Sequence, residues 1–148
     1  MRIAIGCDHR GLSLKEAVMK ILTDRGYCYK DFGCYTVESV DYPDIAEVVC
    51  NSIISGEYDR GILICSTGIG ISISANKING IRAALCYDSF LAQRARQHND
   101  ANVLCLGAIV DRALLPDIVI GFLDGVFEGG RHQRRIDKIE AIEKKNQL

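Results

Sequence analysis

Residues 61–76, GILICSTGIGISISAN, predict a strand, a tight turn and the start of a helix in immediate succession. The apolar run 61–64 is short and uninterrupted, as in a parallel strand that is buried on both faces. Cys65 stands at its carboxyl end, and the small residues 66–70 form a turn before a helix that starts near Ile71. Ligands of parallel α/β sheets bind where strands end and helices begin, so the candidate site is placed here.

The residues of this turn suit acid–base chemistry on an anion. Open backbone N–H groups beside a helix N-terminus stabilise an anion, and the same field favours the thiolate of Cys65, a candidate base or nucleophile. A buried cysteine before a glycine turn explains the stretch equally well. Three familiar loops do not match, because the Walker lysine, the third glycine of the dinucleotide motif and the arginine of cysteine phosphatases are missing.

Length and composition predict one domain over residues 1–148, with room for a sizeable core. The net charge of −1 and the lack of a basic block argue against nucleic acid. No apolar run is long enough to span a membrane, and the first strand is too short for a signal peptide. Seven scattered cysteines without a C-x-x-C pair argue against a disulfide framework or a zinc site and favour a reducing, cytoplasmic setting.

Strand and helix patterns alternate along the chain. A capping box of Ser13 and Glu16 predicts the start of the first helix, Pro43 opens the second, and Asp88 caps a helix that runs to about Gln97. The alternation predicts a doubly wound α/β/α sandwich around a parallel sheet of about five strands. The strands are predicted at residues 2–7, 28–32, 61–65, 81–86 and 102–106.

The last predicted helix, at about residues 131–145, is charged and carries a narrow apolar seam of Ile136, Ile139 and Ile142. A stripe of this width is too narrow for a helix buried within one subunit. We therefore expect the helix to pack on a partner subunit in a homo-oligomer, with a dimer as the simplest case.

Asp8 and His9 end the first predicted strand. Read alone, they are a capping aspartate and an exposed histidine. Strands one and three are usually neighbours in this topology, however, and that arrangement brings both residues beside Cys65.

Two more groups lie away from the strand ends. His98 and Asn99 sit between a helix and a strand, on the amino edge of the sheet, so they form a structural turn unless a partner subunit supplies them to the site. Arg131 and Arg135 are four residues apart on one helix face. They are a solvated basic face or a clamp for phosphate oxygens.

Taken together, these segments resemble the B-type ribose-5-phosphate isomerases, in the family shared with galactose-6-phosphate isomerase. The segments occur in family order over nearly the whole chain and are specific only jointly. They are GCDH at 6–9, DYP at 41–43, ICSTGIGIS at 64–72, ANK at 75–77, GIRA at 80–83, RQHNDAN at 96–102 and GGRH at 129–132.

The resemblance implies an enzyme that interconverts ribose 5-phosphate and ribulose 5-phosphate through an enediolate, without metal or organic cofactor. It also implies a Rossmann-like three-layer α/β/α sandwich, assembled as a dimer or a dimer of dimers with shared active sites. The resemblance further implies that Cys65 is the base that moves a proton between C2 and C1. It implies that Thr67 and His98 help to open the furanose ring, and that the partner subunit supplies His98.

The same resemblance implies the substrate-binding residues. The loop backbone is expected to hold the developing oxyanion, Asn99 a sugar oxygen, and the two helix arginines the phosphate. The full set comprises Asp8, His9, Ser66, Gly68, Ile69, Gly70, Asn99, Arg131 and Arg135.

Two positions depart from the family pattern. Ser66 replaces the usual glycine after the cysteine and is expected to narrow the pocket or restrict the loop. Ile109 stands where the family places an arginine, so we expect weaker phosphate binding, with Arg112 as a candidate replacement.

Two other functions compete with the pentose-phosphate isomerase. One is an isomerase of a six-carbon sugar phosphate such as galactose or allose 6-phosphate, which the segments at 98–100 and 131–132 disfavour. The other is a sugar-phosphate-binding module without turnover, against which the combination of Cys65, Thr67 and His98 argues.

Overall fold

The computed structural model describes residues 1–147 and shows strands alternating with helices. The strands are β1 Arg2–Cys7, β2 Cys28–Asp31, β3 Arg60–Cys65, β4 Ala83–Leu85 and β5 Val103–Gly107. The helices are α1 Leu12–Asp24, α2 Tyr42–Ile54, α3 Ile69–Ala75, α4 Ser89–Asn99, α5 Leu115–Asp124 and α6 Arg131–Lys145. None of the helices within residues 1–147 is long and apolar enough to cross a bilayer.

All five strands are parallel, in the order β2-β1-β3-β5-β4, which confirms the predicted Rossmann-like α/β sandwich. β1 and β3 are neighbours, with Cys7 in register with Ile64. From β1 the chain goes to β2 on one side and to β3 on the other, so the switch point of the sheet lies at their carboxyl ends. The predicted proximity of the β1 end to Cys65 is therefore confirmed.

The central strands are buried on both faces, which explains their uninterrupted apolar sequence. On one face, Ile62 and Ile64 pack in a cluster with α1 and α5 residues such as Leu14 and Phe122. On the other face, Cys65 joins a cluster that α2 and α3 complete. The thiol at the end of β3 thus faces the α2–α3 layer.

Helix α6 lies outside these two clusters and contacts α4. Its buried residues are His132 and Ile136, whereas Ile139 and Ile142 are 46% and 60% exposed. Ile139 and Ile142 therefore form an exposed apolar surface on α6, the helix that was predicted to pack on a partner subunit.

Three local predictions were wrong. Helix α1 begins at Leu12 with Gly11 as its N-cap, so Ser13 and Glu16 form no capping box. The turn before the helix is instead held by the Asp8 carboxylate, which accepts the Arg10 and Gly11 N–H groups.

Strand β4 is shorter than predicted and lies at the edge of the sheet, where a side chain pairs with its free edge. The Asn76 amide donates to the Ala83 carbonyl at 2.9 Å and accepts from the Ala83 N–H at 2.8 Å. Helix α4 runs on to Asn99, so His98 and Asn99 belong to its last turn, and Asp100 closes it in the left-handed region with a φ of 45°. Its predicted N-cap is confirmed, since Asp88 accepts the Leu91 N–H.

Candidate active site

The thiol of Cys65 is almost buried at the centre of the carboxyl edge of the sheet, with 4% exposure. Its Sγ accepts the N–H of Gly68 at 3.2 Å, and its carbonyl accepts the N–H of Ala108 at 2.9 Å. The next side chains, Ser66 and Thr67, are exposed, and Thr67 Oγ1 accepts the Ile69 N–H. The loop therefore holds one thiol against a backbone donor and presents two hydroxyls outward.

Four other cysteines are buried in the core. Burial raises the pKa of Cys50 and of Cys86 to about 12, and burial is also the main cause that raises the pKa of Cys7 to about 12. Burial raises the pKa of Cys105 well above its ordinary value. These thiols stay protonated at neutral pH and serve as small core residues.

The glycines of the thiol loop are required by close packing on the end of β5. Gly68 has a left-handed φ of 79°, and a Cβ there would lie 2.5 Å from Leu85 Cδ1 and 2.8 Å from the Leu106 carbonyl carbon. A Cβ on Gly107 would lie 2.6 Å from the Thr67 carbonyl oxygen. The packing of the loop on the sheet therefore requires glycine at both positions.

Asp8 and His9 lie at the same edge, as predicted. Asp8 is 5% exposed, and its N–H donates to the Ile64 carbonyl, which ties it to the strand of Cys65. Its Oδ1 accepts the N–H groups of the turn that follows, so the capping role considered for Asp8 in the sequence analysis is confirmed for this oxygen. His9 Nδ1 accepts the Val40 N–H at 3.2 Å, an arrangement that places the proton of a neutral ring on Nε2.

Tyr42 is a residue of this edge that the sequence-based reasoning did not assign. A cavity of about 490 Å³ is lined by Asp8, His9, Tyr42 and their neighbours. The Tyr42 ring lies so close over Gly70 that a Cβ there would be 2.5 Å from Cζ and 2.8 Å from the hydroxyl oxygen. The DYP segment at 41–43 was the only hint, and it carried no indication of a role.

A second group of predicted residues lies at the junction of α4 and α6, called the α4–α6 corner below. His98 stacks on His132, with ring centroids 4.1 Å apart and planes 13° apart. The Glu128 carboxylate oxygen lies 3.9 Å from His98 Nε2 and 3.5 Å from His132 Nε2. Burial, and next the neighbouring His98 and Arg131, lower the pKa of His132, so its ring is neutral at neutral pH.

The two groups are at opposite edges of the sheet. Beside the α4–α6 corner, the Gly61 N–H donates to the Asn102 carbonyl, at the start of β3 and β5. Cys65 lies at the other end of β3, four residues and about 13 Å farther along the strand. The structure therefore brings together Asp8, His9, Cys65, Ser66, Thr67, Gly68, Ile69 and Gly70, and it places His98, Asn99, Arg131 and Arg135 in a separate group.

Within residues 1–147, the ligand atoms of His98, Glu128 and His132 lie within 4.8 Å of one another, close enough to consider a metal ion. The parallel stack sets the two imidazoles side by side instead of converging on one point. Arg131 and Arg135 also bring positive charge to the same corner. We therefore assign no metal to these residues.

The two departures from the family pattern lie on the surface. Ser66 is exposed in the thiol loop, and Ile109 is 75% exposed after β5. The candidate replacement, Arg112, donates from Nη2 to Ser13 Oγ at 3.0 Å. This guanidinium is thereby held at the start of α1, on the carboxyl edge of the sheet.

The Ribose/Galactose Isomerase family matches residues 3–139. This chain belongs to that family. It is 53% identical to the solved ribose-5-phosphate isomerase B of Clostridium thermocellum, covering 98% of this chain and 99% of that one with a TM-score of 0.96. It is 47% identical to the ribose-5-P isomerase B of Listeria innocua, over 99% of each chain.

A third relative in the family carries the name of another substrate. The D-erythrulose-4-phosphate isomerase of Pectobacterium atrosepticum is 42% identical, over 97% of this chain and 95% of that protein. The family resemblance predicted from the sequence is confirmed, and sugar phosphates of different length occur in the names of its members.

Proposed function

We propose that this protein is a ribose-5-phosphate isomerase of the B type, which interconverts D-ribose 5-phosphate and D-ribulose 5-phosphate in the non-oxidative pentose phosphate pathway. The observation that carries the proposal is the Cys65 thiol at the switch point, against the Gly68 N–H, with Thr67 in the same loop and Asp8 at the end of the neighbouring strand. The names of close relatives support the same substrate.

The chemistry needs a base and donors beside a carbonyl group. In open-chain ribose 5-phosphate, the Cys65 thiolate takes the C2 proton, the C–H electron pair forms the double bond of the enediolate, and the aldehyde oxygen gains negative charge. The proton returns to C1, and another proton moves from the C2 hydroxyl to the C1 oxygen, which gives the ketone. Loop N–H groups directed at this oxygen would lower the barrier, since loss of one oxyanion donor costs about a hundredfold or more in rate.

The second half of the site is supplied by another subunit. His98, Asn99, Arg131 and Arg135 lie too far from Cys65 in one chain to act on the same substrate, and three of them are exposed. The exposed Ile139 and Ile142 on α6 provide an apolar surface for a partner. We accordingly propose a homodimer, or a dimer of dimers, in which each thiol loop faces the α4–α6 corner of its partner.

In this arrangement the two arginines bind the phosphate, His98 and Thr67 open the furanose ring, and Asp8, His9 and Asn99 hold sugar oxygens. Phosphate binding far from the reacting carbons holds the open chain in place for proton transfer. The proposed cytoplasmic location fits a thiol base, because all seven cysteines are free in the structure and Cys65 must stay reduced.

A second candidate is isomerisation of a sugar phosphate of another length. The family name includes galactose, and one relative is named for erythrulose 4-phosphate. Ser66 and Ile109 are exposed positions at which this chain departs from the pentose-enzyme pattern.

The test is a direct assay of chelator-treated protein with ribose 5-phosphate, galactose 6-phosphate and D-erythrulose 4-phosphate. Faster turnover of ribose 5-phosphate, unchanged by chelator, is the expected result. Preference for another sugar phosphate would move the protein to that branch of the family. Tight binding of all three without turnover would contradict the enzyme assignment and favour a binding module.

A further inference from the structure

Glu128 is anchored beside His98 by its backbone. Its N–H donates to the carbonyl of Gln97 at 3.0 Å, which pins the segment before α6 to the last turn of α4. The same segment packs closely on α4, since a Cβ on Gly125 would lie 2.7 Å from Arg96 Cβ. The backbone of Glu128 is therefore fixed against Gln97, the residue before His98, and its carboxylate lies beside the His98 ring.

Two left-handed glycines then turn the chain so that α6 returns to this carboxylate. Gly129 and Gly130 have φ values of 66° and 57°, and His132 is four residues after Glu128. The His132 ring is 5% exposed and its Nε2 has no hydrogen-bond partner within residues 1–147. Its flat face covers His98. One carboxylate thus faces the Nε2 atoms of both rings in the stack.

We propose that Glu128 is a positioning residue for His98: together with the His132 ring it fixes the orientation and the tautomer with which His98 opens the furanose ring. This inference rests on the proposed function. Glu128 and His132 would thus hold the His98 imidazole in place, in addition to the residues that contact the substrate.

The neighbours of His98 determine which of its ring nitrogens carries the proton. A carboxylate beside Nε2 favours a proton on that nitrogen, which leaves Nδ1 of neutral His98 to accept one. Ring opening removes the proton of the C1 hydroxyl, breaks the C1–O4 bond and delivers a proton to O4. In this arrangement Nδ1 accepts the hydroxyl proton and returns it to O4, while Nε2 keeps its own proton toward Glu128. His132 stays neutral and serves as a flat support, because two adjacent imidazolium rings would repel each other.

Glu128 is suited to a test because its carboxylate is not needed for the fold. The side chain is 48% exposed, and the bond to Gln97 comes from its backbone. Glu128→Gln keeps the shape and that bond but removes the charge. Glu16→Gln, an equal change at an exposed position of α1, is the matched control.

The experiment is a double-mutant cycle on the ribose 5-phosphate reaction with Glu128→Gln, His98→Asn and the double variant. A positioning role predicts that Glu128→Gln lowers kcat about tenfold or more, with KM within about twofold of wild type. It also predicts that Glu128→Gln adds no further loss to His98→Asn, whose residual activity uses the sugar that opens in solution. Unfolding midpoints of all variants are measured alongside.

Two results would overturn the inference. Full activity of Glu128→Gln would show that the carboxylate does not matter, and an equal loss with and without His98 would show that it acts on something else. A wild-type protein that does not turn over ribose 5-phosphate would instead refute the proposed function. The failures of the two proposals are therefore distinguishable.

Discussion

The thiol loop and the α4–α6 corner are built in different ways, although both carry residues of the proposed site. The loop is locked from below: Gly68 and Gly107 leave no space for a side chain, and Cys65 is almost buried. The corner is an assembly of helix ends whose Asn99, Arg131 and Arg135 are exposed. Under the proposed function, each chain would therefore complete its own base and oxyanion loop and present its ring-opening and phosphate-binding groups to a partner.

The largest expected effect is loss of the base. Cys65→Ala should lower kcat for ribose 5-phosphate by about a thousandfold or more, as expected when proton abstraction loses its general base. The free energy of unfolding should change little in comparison. Steady-state kinetics with Cys28→Ala, which removes an exposed thiol, provide the control. Wild-type activity in Cys65→Ala would show that the Cys65 thiol is not the base.

Next is a test of the locked loop. Gly68→Ala combines a left-handed φ with contacts of 2.5–2.8 Å to the Leu85 side chain and the β5 backbone. We expect it to reduce the free energy of unfolding by about 3 kcal/mol, the sum of backbone strain and overlap. Chemical denaturation measures the change.

The matched control for this glycine is Gly26→Ala. Its φ of 75° is similar, but within residues 1–147 no atom beyond the adjacent residues lies within 4 Å of the new Cβ, so only about 1 kcal/mol of backbone strain is expected. Equal losses at the two positions would show that the loop is less tightly held by β5 than the contacts indicate.

A third prediction concerns the outward-facing corner. Arg131→Ala should raise KM for ribose 5-phosphate about tenfold, the value of one charge-assisted hydrogen bond, with little change in kcat. Arg134→Ala changes an exposed arginine of the same helix that was not assigned to the phosphate, and it should leave KM near wild type. An equal rise of KM in both variants would show that the helix attracts the phosphate by its overall positive charge and not by a specific contact of Arg131.

The smallest effect is the pH dependence of the His132 stack. The pKa of His132 is lowered in the folded protein, so the unfolded chain binds more protons once the pH falls below about 6.5. The free energy of unfolding should therefore decrease as the pH falls through that region, and less so in His132→Asn. Thermal unfolding at pH 7.5 and pH 5.5 measures the difference, and identical pH dependence would contradict it.

The sheet and the thiol loop were predictable because their determinants are local. The apolar run of β3, its terminal cysteine and the glycine turn follow one another in sequence, and the parallel topology then brings Asp8 to the same edge. The capping box predicted at Ser13 was wrong because a local turn held by the Asp8 carboxylate precedes the helix, which begins after Gly11.

The remaining site residues depend on contacts between distant segments. Tyr42 packs over Gly70 from a distant segment. Glu128 lies beside His98 because its N–H bonds to the Gln97 carbonyl, and two left-handed glycines then return His132 to the same corner. No periodicity or spacing encodes such meetings. The roles of the arginines and of His98 stay predictions from the family resemblance, since one chain places them away from Cys65.

The most direct test of the shared site is subunit complementation. Cys65→Ala and His98→Asn proteins, each with very low activity, are mixed, partly unfolded, and allowed to exchange subunits. A shared site predicts recovery to about a quarter of wild-type activity in a random 1:1 mixture of dimers, because each mixed dimer holds one intact site. No recovery, although mixed dimers are detected by native mass spectrometry, would contradict a site built from two chains.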